Sequence, residues 1–287
     1  MGQNCVTLLG VKGGPAIRPE SSMPTSILVE MAGKTILVDA GLGCSTGLVR
    51  AGVALTDLDA IFITHLHSDH YLELGPLLHT AWTAGLDRTI PIYGPTGLPV
   101  YWACFLAAME FDISLRIMDE GRPDLSGLVE FTTLQAGENV TLDGIEVSVM
   151  KNVHPPIAES YALRFDAAGR SATLSGDTVA MEEMIEFARG SDILVHEAML
   201  EAGIDALCAR VGNTDDRLRT HLMRSHTPAA EAGRIATEAG VAQLALNHLV
   251  PNDDPDFSEE DWRAEVAPAW FGPLFIGRDG MRIDLAD

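Results

Sequence analysis

Apolar runs bounded by glycine, proline or polar residues alternate along this chain with segments whose apolar residues recur at helical spacing. The runs, together with an alternating stretch between 128 and 165, predict strands at 6–9, 26–30, 35–39, 60–63, 90–93, 129–131, 140–142, 145–147, 161–165, 171–174, 192–195 and 243–246. Helical spacing predicts helices at 46–51, 72–84, 98–111, 181–189, 227–239 and 258–270. The first predicted elements are mostly strands, and strands and helices then alternate. The same succession occurs a second time, and no long polar linker divides the chain. We therefore expect one domain, residues 1–287, with sheets in the middle and helices outside.

One polar cluster stands directly after the predicted strand at 60–63. Within residues 64–70 it contains three imidazoles and a carboxylate: His65, His67, Asp69 and His70. A packed core has no use for so many polar side chains together, whereas imidazole nitrogen and carboxylate oxygen are ligands for zinc and its neighbours. The cluster therefore predicts a metal site.

Three further candidate ligands follow, each where a predicted strand stops and a loop begins. They are His154, Asp177 and His248. Loops at strand ends on a rigid sheet are where sites are usually built. A lone histidine after a strand is ordinarily a surface or core residue, and a Gly-Asp turn is ordinarily only a turn. Beside the cluster at 64–70, however, these residues bring the set to seven, enough for two ions.

The charge of the chain bears on its partners. Lys and Arg number 19 against 41 Asp and Glu, a net charge of −22. So acidic a protein repels polyanions at long range, and we expect neither nucleic acid nor an anionic membrane as a partner. We also expect no apolar run long enough to span a bilayer. Four scattered cysteines without C-x-x-C spacing indicate reduced thiols in a cytoplasmic protein.

The motif His-x-His-x-Asp-His at 65–70, with His154, Asp177 and His248 following in order, resembles the metallo-β-lactamase superfamily. Further local matches at 36–41, 92–98 and 196–198 make the chain most similar to the branch that holds ribonuclease Z, arylsulfatase-like enzymes and cyclic-nucleotide phosphodiesterases. The resemblance covers residues 6–248, nearly the whole chain. It implies an α+β fold, a four-layer αββα sandwich.

The resemblance also implies roles for these residues. His65, His67 and His154 would hold one ion, Asp69, His70 and His248 the other, and Asp177 would bridge both. The two divalent ions, zinc first and manganese or iron also compatible, would share a hydroxide as nucleophile, and Asp69 would orient it.

Glu197 and His226 match a pair that assists the leaving group in the ribonuclease Z branch. A carboxylate that holds an imidazole raises its basicity and fixes its tautomer. The alternative is a strand-end carboxylate beside a histidine at a helix start. We expect His196 to be structural and His221 to lie on the surface, and the position of His79 stays open.

Two departures from ribonuclease Z weigh against tRNA as substrate. Ribonuclease Z carries a tRNA-gripping arm between the ligands that His154 and Asp177 match, and the 22 residues between them here are too few for it. The loop at 13–18 also differs from the phosphate-contacting sequence of ribonuclease Z. We therefore expect a dinuclear hydrolase of a small-molecule ester: phosphodiester, sulfate ester, lactone or carboxylic ester. The alternatives are a tRNA 3′-end processing endoribonuclease and a non-catalytic metal-binding scaffold. Residues 201–224 are a candidate cap over the site, and homodimer formation stays open.

Overall fold

The computed structural model describes residues 4–212, 215–252 and 254–285. Its first sheet has seven strands in the order β14-β1-β2-β3-β4-β5-β6. Their bounds are β1 Cys5–Gly10, β2 Ser26–Met31, β3 Lys34–Val38, β4 Ala60–Phe62, β5 Ile90–Gly94, β6 Val129–Thr133 and β14 Met281–Asp284. Strands β14 to β3 pair antiparallel, whereas β3 to β6 run parallel.

The second sheet also has seven strands, in the order β13-β12-β11-β10-β9-β8-β7. Their bounds are β7 Asn139–Leu142, β8 Ile145–Lys151, β9 Tyr161–Ala167, β10 Arg170–Leu174, β11 Ile193–Met199, β12 Leu244–Val250 and β13 Leu274–Ile276. Here β7 to β10 pair antiparallel and β10 to β13 run parallel. Each sheet therefore has a parallel half in which successive strands end at the same edge.

Helices lie outside both sheets. They are α1 Cys44–Arg50, α2 Ser68–Tyr71, α3 Leu74–Thr83, α4 Leu98–Glu120, α5 Glu182–Phe187, α6 Ile204–Val211, α7 Arg217–Ser225, α8 Ala229–Ala239 and α9 Glu259–Val266. One apolar core lies between the sheets and includes Phe62 and Phe165, whose rings meet edge to face with centroids 5.6 Å apart. A second core joins the first sheet to α3 and α4, and a third joins the second sheet to α5, α8 and α9. This order of layers confirms the predicted αββα sandwich.

Several elements extend further than their sequence patterns predict. Strands β11 and β12 continue to Met199 and Val250, because both are buried on all sides and their apolar runs include polar site residues. The predicted helix at 72–84 corresponds to α3, whereas the short helix α2 and strands β13 and β14 were not predicted. The apolar periodicity of α4 fades after residue 111, yet the helix continues to Glu120 and ends at Gly121 in the left-handed conformation.

Helix α4 bears on the expectation that no uninterrupted apolar run is long enough to span a bilayer. Among the described residues, α4 is the one helix that is long and apolar enough to cross a membrane. Only 17% of its most apolar 18-residue stretch is buried inside the protein. Its exposed side chains include Val100, Phe111 and Met118. A single helix of this kind is weak evidence for a membrane span, because core helices of soluble proteins pass the same test.

Candidate metal centre and active site

The predicted ligands converge where the parallel strands of both sheets end. The segment after β4 carries the cluster at 64–70, and α2 begins inside it at Ser68. Asp177 follows β10, and His248 lies within β12 with φ 43°. His154 follows β8 next to a cis bond between Pro155 and Pro156. The two sheets thus supply ligands to one site from opposite sides.

Three imidazoles and one carboxylate form the first group. His67 Nδ1 lies 3.1 Å from His65 Nε2 and 3.0 Å from His154 Nε2. Asp177 Oδ2 lies 3.7 Å from His65 Nε2 and 3.8 Å from His154 Nε2. A tetrahedral zinc ion with bonds of about 2.0–2.1 Å separates its ligand atoms by about 3.3 Å. The four atoms therefore fit the ligand shell of one divalent ion.

The second group shares Asp177 with the first. Asp177 Oδ2 lies 3.3 Å from His70 Nε2 and 3.0 Å from His248 Nε2. Asp69 Oδ2 lies 3.6 Å and 3.3 Å from the same two nitrogens. The buried Nε2 of His70 has no hydrogen-bond partner in the protein, although it faces two carboxylates. These separations also match one ion, so the arrangement suits two ions that share Asp177.

The electrostatics of the two groups differ. Burial lowers the pKa of His65 well below its ordinary value and that of His154 to about 4, so both stay neutral and available as ligands. Burial also opposes charge on His248, but the carboxylates of Asp177 and Asp69 outweigh it and raise its pKa to about 10. The second group therefore attracts positive charge, which a divalent ion supplies.

Two residues that sequence reasoning left without a role orient the ligands. His70 Nδ1 donates to Asp39 Oδ2 at 2.7 Å, and His154 Nδ1 donates to the carbonyl oxygen of Ser225 at 2.9 Å. Both contacts place the proton on Nδ1 and leave Nε2 as the ligand atom. Asp39 also accepts from the backbone N–H and hydroxyl of Thr64. Its place after β3, in an Asp-Ala-Gly turn, was the available signal in the sequence.

Glu197 and His226 meet beside the two groups, as predicted. Both oxygens of the buried Glu197 carboxylate lie 3.1 Å from His226 Nδ1, and Oε1 also accepts from the backbone N–H of Thr178 at 2.7 Å. A ring nitrogen of His226 lies within 4.8 Å of ligand atoms of Asp177 and His248. The pair therefore has its carboxylate anchored and its imidazole next to the candidate metal centre.

A cavity of about 290 Å³ opens over this centre. Its floor includes His67, Asp69, Asp177, His226 and His248. One wall comes from α6 and α7, which present Leu207, Val211, Leu218, His221 and Leu222. The described part of 201–224 therefore covers one side of the site, as expected of the candidate cap.

The other histidines differ in their placement. The expectation that His221 lies on the surface is wrong: it is half-buried in the cavity wall, because α7 folds back over the site, and its ring centroid is 6.1 Å from that of His67. His79 bonds Asp112 of α4 at 2.9 Å, within the outer helical layer. His196 is buried and bonds the carbonyl oxygen of Glu197 through Nδ1.

The loop after β1 also lines the cavity. Gly14 N–H donates to Asp69 Oδ2 at 2.8 Å, and Gly13 N–H donates to the carbonyl oxygen of Leu249 at 3.1 Å. A Cβ at Gly13 would overlap the side chain of Val250 and lie 2.9 Å from His248 Cε1. The close approach of this loop to β12 therefore requires glycine at position 13.

Comparisons with known proteins agree with this geometry. The family described as "Anti-Pycsar protein Apyc1" matches residues 6–249. A ribonuclease Z from Mycobacterium sp. (strain KMS) is 34% identical over 284 residues, covering 98% of this chain and 95% of the relative. The metallo-β-lactamase-fold protein YhfI from Bacillus subtilis superposes with a TM-score of 0.71 at 23% identity, over 99% of this chain and 100% of that one. Human tRNase Z, short form, gives 0.69 at 21% identity, with the same coverage.

These relatives overturn the prediction that the chain has a small-molecule substrate and no nucleic-acid partner. That prediction is wrong because proteins named ribonuclease Z, at 31–34% identity, match nearly their whole length. The missing arm does not separate this chain from them, since 283 aligned residues cover 98% of both proteins. The net charge misled because exposed charges are screened beyond about 8 Å at physiological ionic strength, whereas bound ions dominate the local field.

The fold, the two groups of candidate ligands and the comparisons lead to one assignment. Nearly the whole chain matches both the family and the ribonucleases Z, and the histidine and aspartate groups can hold metal. This chain belongs to the family described as Anti-Pycsar protein Apyc1, and it is a metal-dependent hydrolase of the metallo-β-lactamase fold.

Proposed function

We propose that this chain is a phosphodiesterase that cleaves RNA, using two divalent ions among which zinc is the first choice and manganese or iron are compatible. His65, His67 and His154 would hold one ion, Asp69, His70 and His248 the other, and Asp177 both. The donor set supports this assignment, since neutral imidazoles and carboxylates suit zinc and also manganese and iron. The names of the ribonuclease Z relatives support RNA as substrate.

The observation that carries a phosphodiesterase is the Glu197–His226 pair beside the two candidate metal groups. Phosphodiester cleavage expels an alkoxide-like oxygen that gains from a proton. His226 Nδ1 faces the buried Glu197 carboxylate at 3.1 Å. That carboxylate accepts from Nδ1 and fixes the orientation of the ring, so Nε2 is the nitrogen left to act on the leaving oxygen.

The chain's own residues would divide the reaction as follows. When bound, the two ions supply Lewis-acid polarisation of the phosphate and lower the pKa of a water toward about 7. Asp69, itself held by the Gly14 N–H, would accept a hydrogen bond from the attacking hydroxide, whose other proton has already passed to solvent, and so aim it at phosphorus. As the new phosphorus–oxygen bond forms and the bond to the leaving oxygen breaks, His226 gives its Nε2 proton to that oxygen. Glu197 keeps His226 in place throughout.

The segment after β1, residues 12–18, adds positive charge to the cavity. Lys12 and Arg18 both line it, and the Lys12 ammonium, although its side chain is almost fully buried, donates to the Gly13 carbonyl at 2.9 Å. Cationic side chains beside the candidate metal centre favour an anionic substrate. This local charge supports a phosphate-containing substrate despite the net charge of −22.

The test is cleavage of a 3′-labelled precursor tRNA transcript and a single-stranded RNA by the purified enzyme. His226→Ala should lower kcat by about 10²- to 10⁴-fold without changing metal content. His79→Ala is the matched control, because His79 also pairs with a carboxylate but lies in the outer helices. An enzyme with full metal content that leaves both RNAs intact would show that RNA is not the substrate.

The cap limits the size of the substrate that the cavity can take. The wall formed by Leu207, Val211, Leu218 and Leu222 narrows the cavity to about 290 Å³, the low end for small-molecule sites. The same assay should therefore include bis-nitrophenyl phosphate, nitrophenyl sulfate, a lactone and nitrophenyl acetate. Turnover of the phosphodiester alone would keep the proposed bond class and change only the substrate's size, whereas turnover of the sulfate or acetate alone would reject phosphodiester chemistry.

A further inference from the structure

His221 is the polar side chain on the inner face of the cap, among the described residues of α6 and α7 that line the cavity. Its neighbours on that wall, Leu207, Val211, Leu218 and Leu222, offer no side-chain hydrogen bonds. Its ring centroid lies 6.1 Å from that of His67, 6.3 Å from that of His154 and 6.2 Å from that of His226. It therefore overlooks the candidate metal centre without belonging to either ligand group.

Ser225 sets the tautomer of this histidine. The Ser225 hydroxyl donates its proton to the Pro155 carbonyl oxygen at 2.7 Å, so Oγ faces other groups as an acceptor. His221 Nδ1 lies 3.4 Å from that Oγ, and the neutral ring can satisfy it only by carrying its proton on Nδ1. Nε2 is then an unprotonated acceptor on a ring that lines the cavity.

An acceptor nitrogen does not suit a phosphate, whose oxygens are also acceptors. It suits a hydroxyl. Resting on the RNA cleavage proposed above, we propose that His221 Nε2 accepts a hydrogen bond from a ribose 2′-hydroxyl next to the scissile phosphate. His221 is then a specificity-determining residue that separates ribonucleotides from deoxyribonucleotides, because the 2′-hydroxyl is the group that distinguishes them.

The expected preference for RNA follows from the cost of leaving His221 Nε2 without a hydrogen-bond donor when the substrate lacks the 2′-hydroxyl. Without the 2′-hydroxyl, Nε2 of this half-buried ring loses its donor and meets a carbon-bound hydrogen of the substrate. An unpaired buried acceptor costs about 1–3 kcal/mol, which corresponds to about 5- to 150-fold in kcat/KM. We therefore expect about a 10- to 100-fold preference for RNA over the same strand with one 2′-deoxynucleotide at the cleavage site.

The experiment compares kcat/KM for these two oligonucleotides across a set of variants. His221→Phe keeps an aromatic ring and removes the acceptor, so the preference should fall toward 1. His221→Gln places an amide oxygen near the position of Nε2 and should restore part of the preference. Ser225→Ala releases Nδ1 and should reduce the preference without abolishing it. His79→Gln, the control outside the site, should leave it unchanged.

The outcomes separate this proposal from the one it rests on. A merely structural role would slow both substrates equally, so an unchanged preference in His221→Phe overturns the assignment even if activity drops. Should that variant fold poorly, as judged from its metal content, the Gln variant decides: a preference that His221→Gln keeps in part and His221→Ala loses supports the acceptor role, and equal loss in both refutes it. If the wild-type enzyme cleaves neither oligonucleotide, RNA is not the substrate and the His221 assignment falls with it.

Discussion

Replacing Asp39 with asparagine should weaken metal binding at one of the two groups only. Asparagine has the same shape as aspartate and tolerates the φ of 62° that Asp39 adopts. The amide can still accept from the Thr64 N–H, but its NH₂ would face His70 Nδ1, which is now 2.7 Å from a carboxylate oxygen. Two donors cannot share that contact. His70 would therefore move its proton to Nε2, the atom that faces Asp69 and Asp177.

A proton on Nε2 must be lost before His70 can bind an ion. Removing an outer hydrogen-bond partner of this kind lowers metal affinity about 10- to 100-fold, or about 1.4–2.7 kcal/mol. The first group does not use His70, so its affinity should stay close to that of the wild type. Titrating the apoprotein with zinc against a chromophoric chelator should therefore resolve one unchanged and one weakened equivalent.

Asp112→Asn is the matched control, because Asp112 also bonds a histidine, His79, at 2.9 Å, but lies in the outer helical layer. It should bind both equivalents like the wild type. Two unchanged equivalents in Asp39→Asn would refute the role given to the Asp39–His70 contact, and equal weakening of both would show a general loss of structure instead.

The remaining predictions concern catalysis, stability and thiol reactivity. Glu197→Gln should lower kcat about 10- to 100-fold with metal content retained, since a neutral amide holds the His226 ring less firmly than a carboxylate that accepts through both oxygens; unchanged kcat argues against the pair. Chelation should lower the melting temperature, because ligands from both sheets lose the ions that join them, and readdition of zinc should restore it. Burial lowers the pKa of His196 to about 4, so the unfolded chain binds its proton first and stability falls between pH about 6.5 and 4; urea titrations of His196→Leu should lack about 3 kcal/mol of that fall. A thiol reagent should label exposed Cys104 and spare Cys5, whose pKa burial raises to about 12.

The sequence predicts the candidate metal centre better than its surroundings. The cluster at 64–70 is informative because four chemical groups fall within one short loop, and the fold follows from the order of elements. The contacts of Asp39 and Ser225 could not be predicted, because each depends on how distant segments meet: Ser225 lies 71 residues from the His154 ring it holds. His221 was misplaced for the same reason, since helical periodicity does not say which surface a short amphipathic helix covers.

Net charge was a poor guide to the substrate. A count of 41 acidic against 19 basic residues averages over the surface and does not record that Lys12 and Arg18 line the cavity. The extension of β11 and β12 through Glu197 and His248 was also hidden, because polar residues interrupt the apolar runs. The extent of the domain, 1–287, and the cytoplasmic location stay predictions.

The cap formed by α6 and α7 joins the end of β11 to the start of α8, and its described residues pair with neither sheet through strand hydrogen bonds. Its contribution to the cavity is a handful of side chains on two short helices. Such a segment can be lengthened, shortened or exchanged between related proteins while the strands beneath it keep their register. A change in the cap can therefore alter the shape of the cavity without moving the candidate metal centre. Ser225 and His226 are the residues at which any replacement segment has to meet that centre.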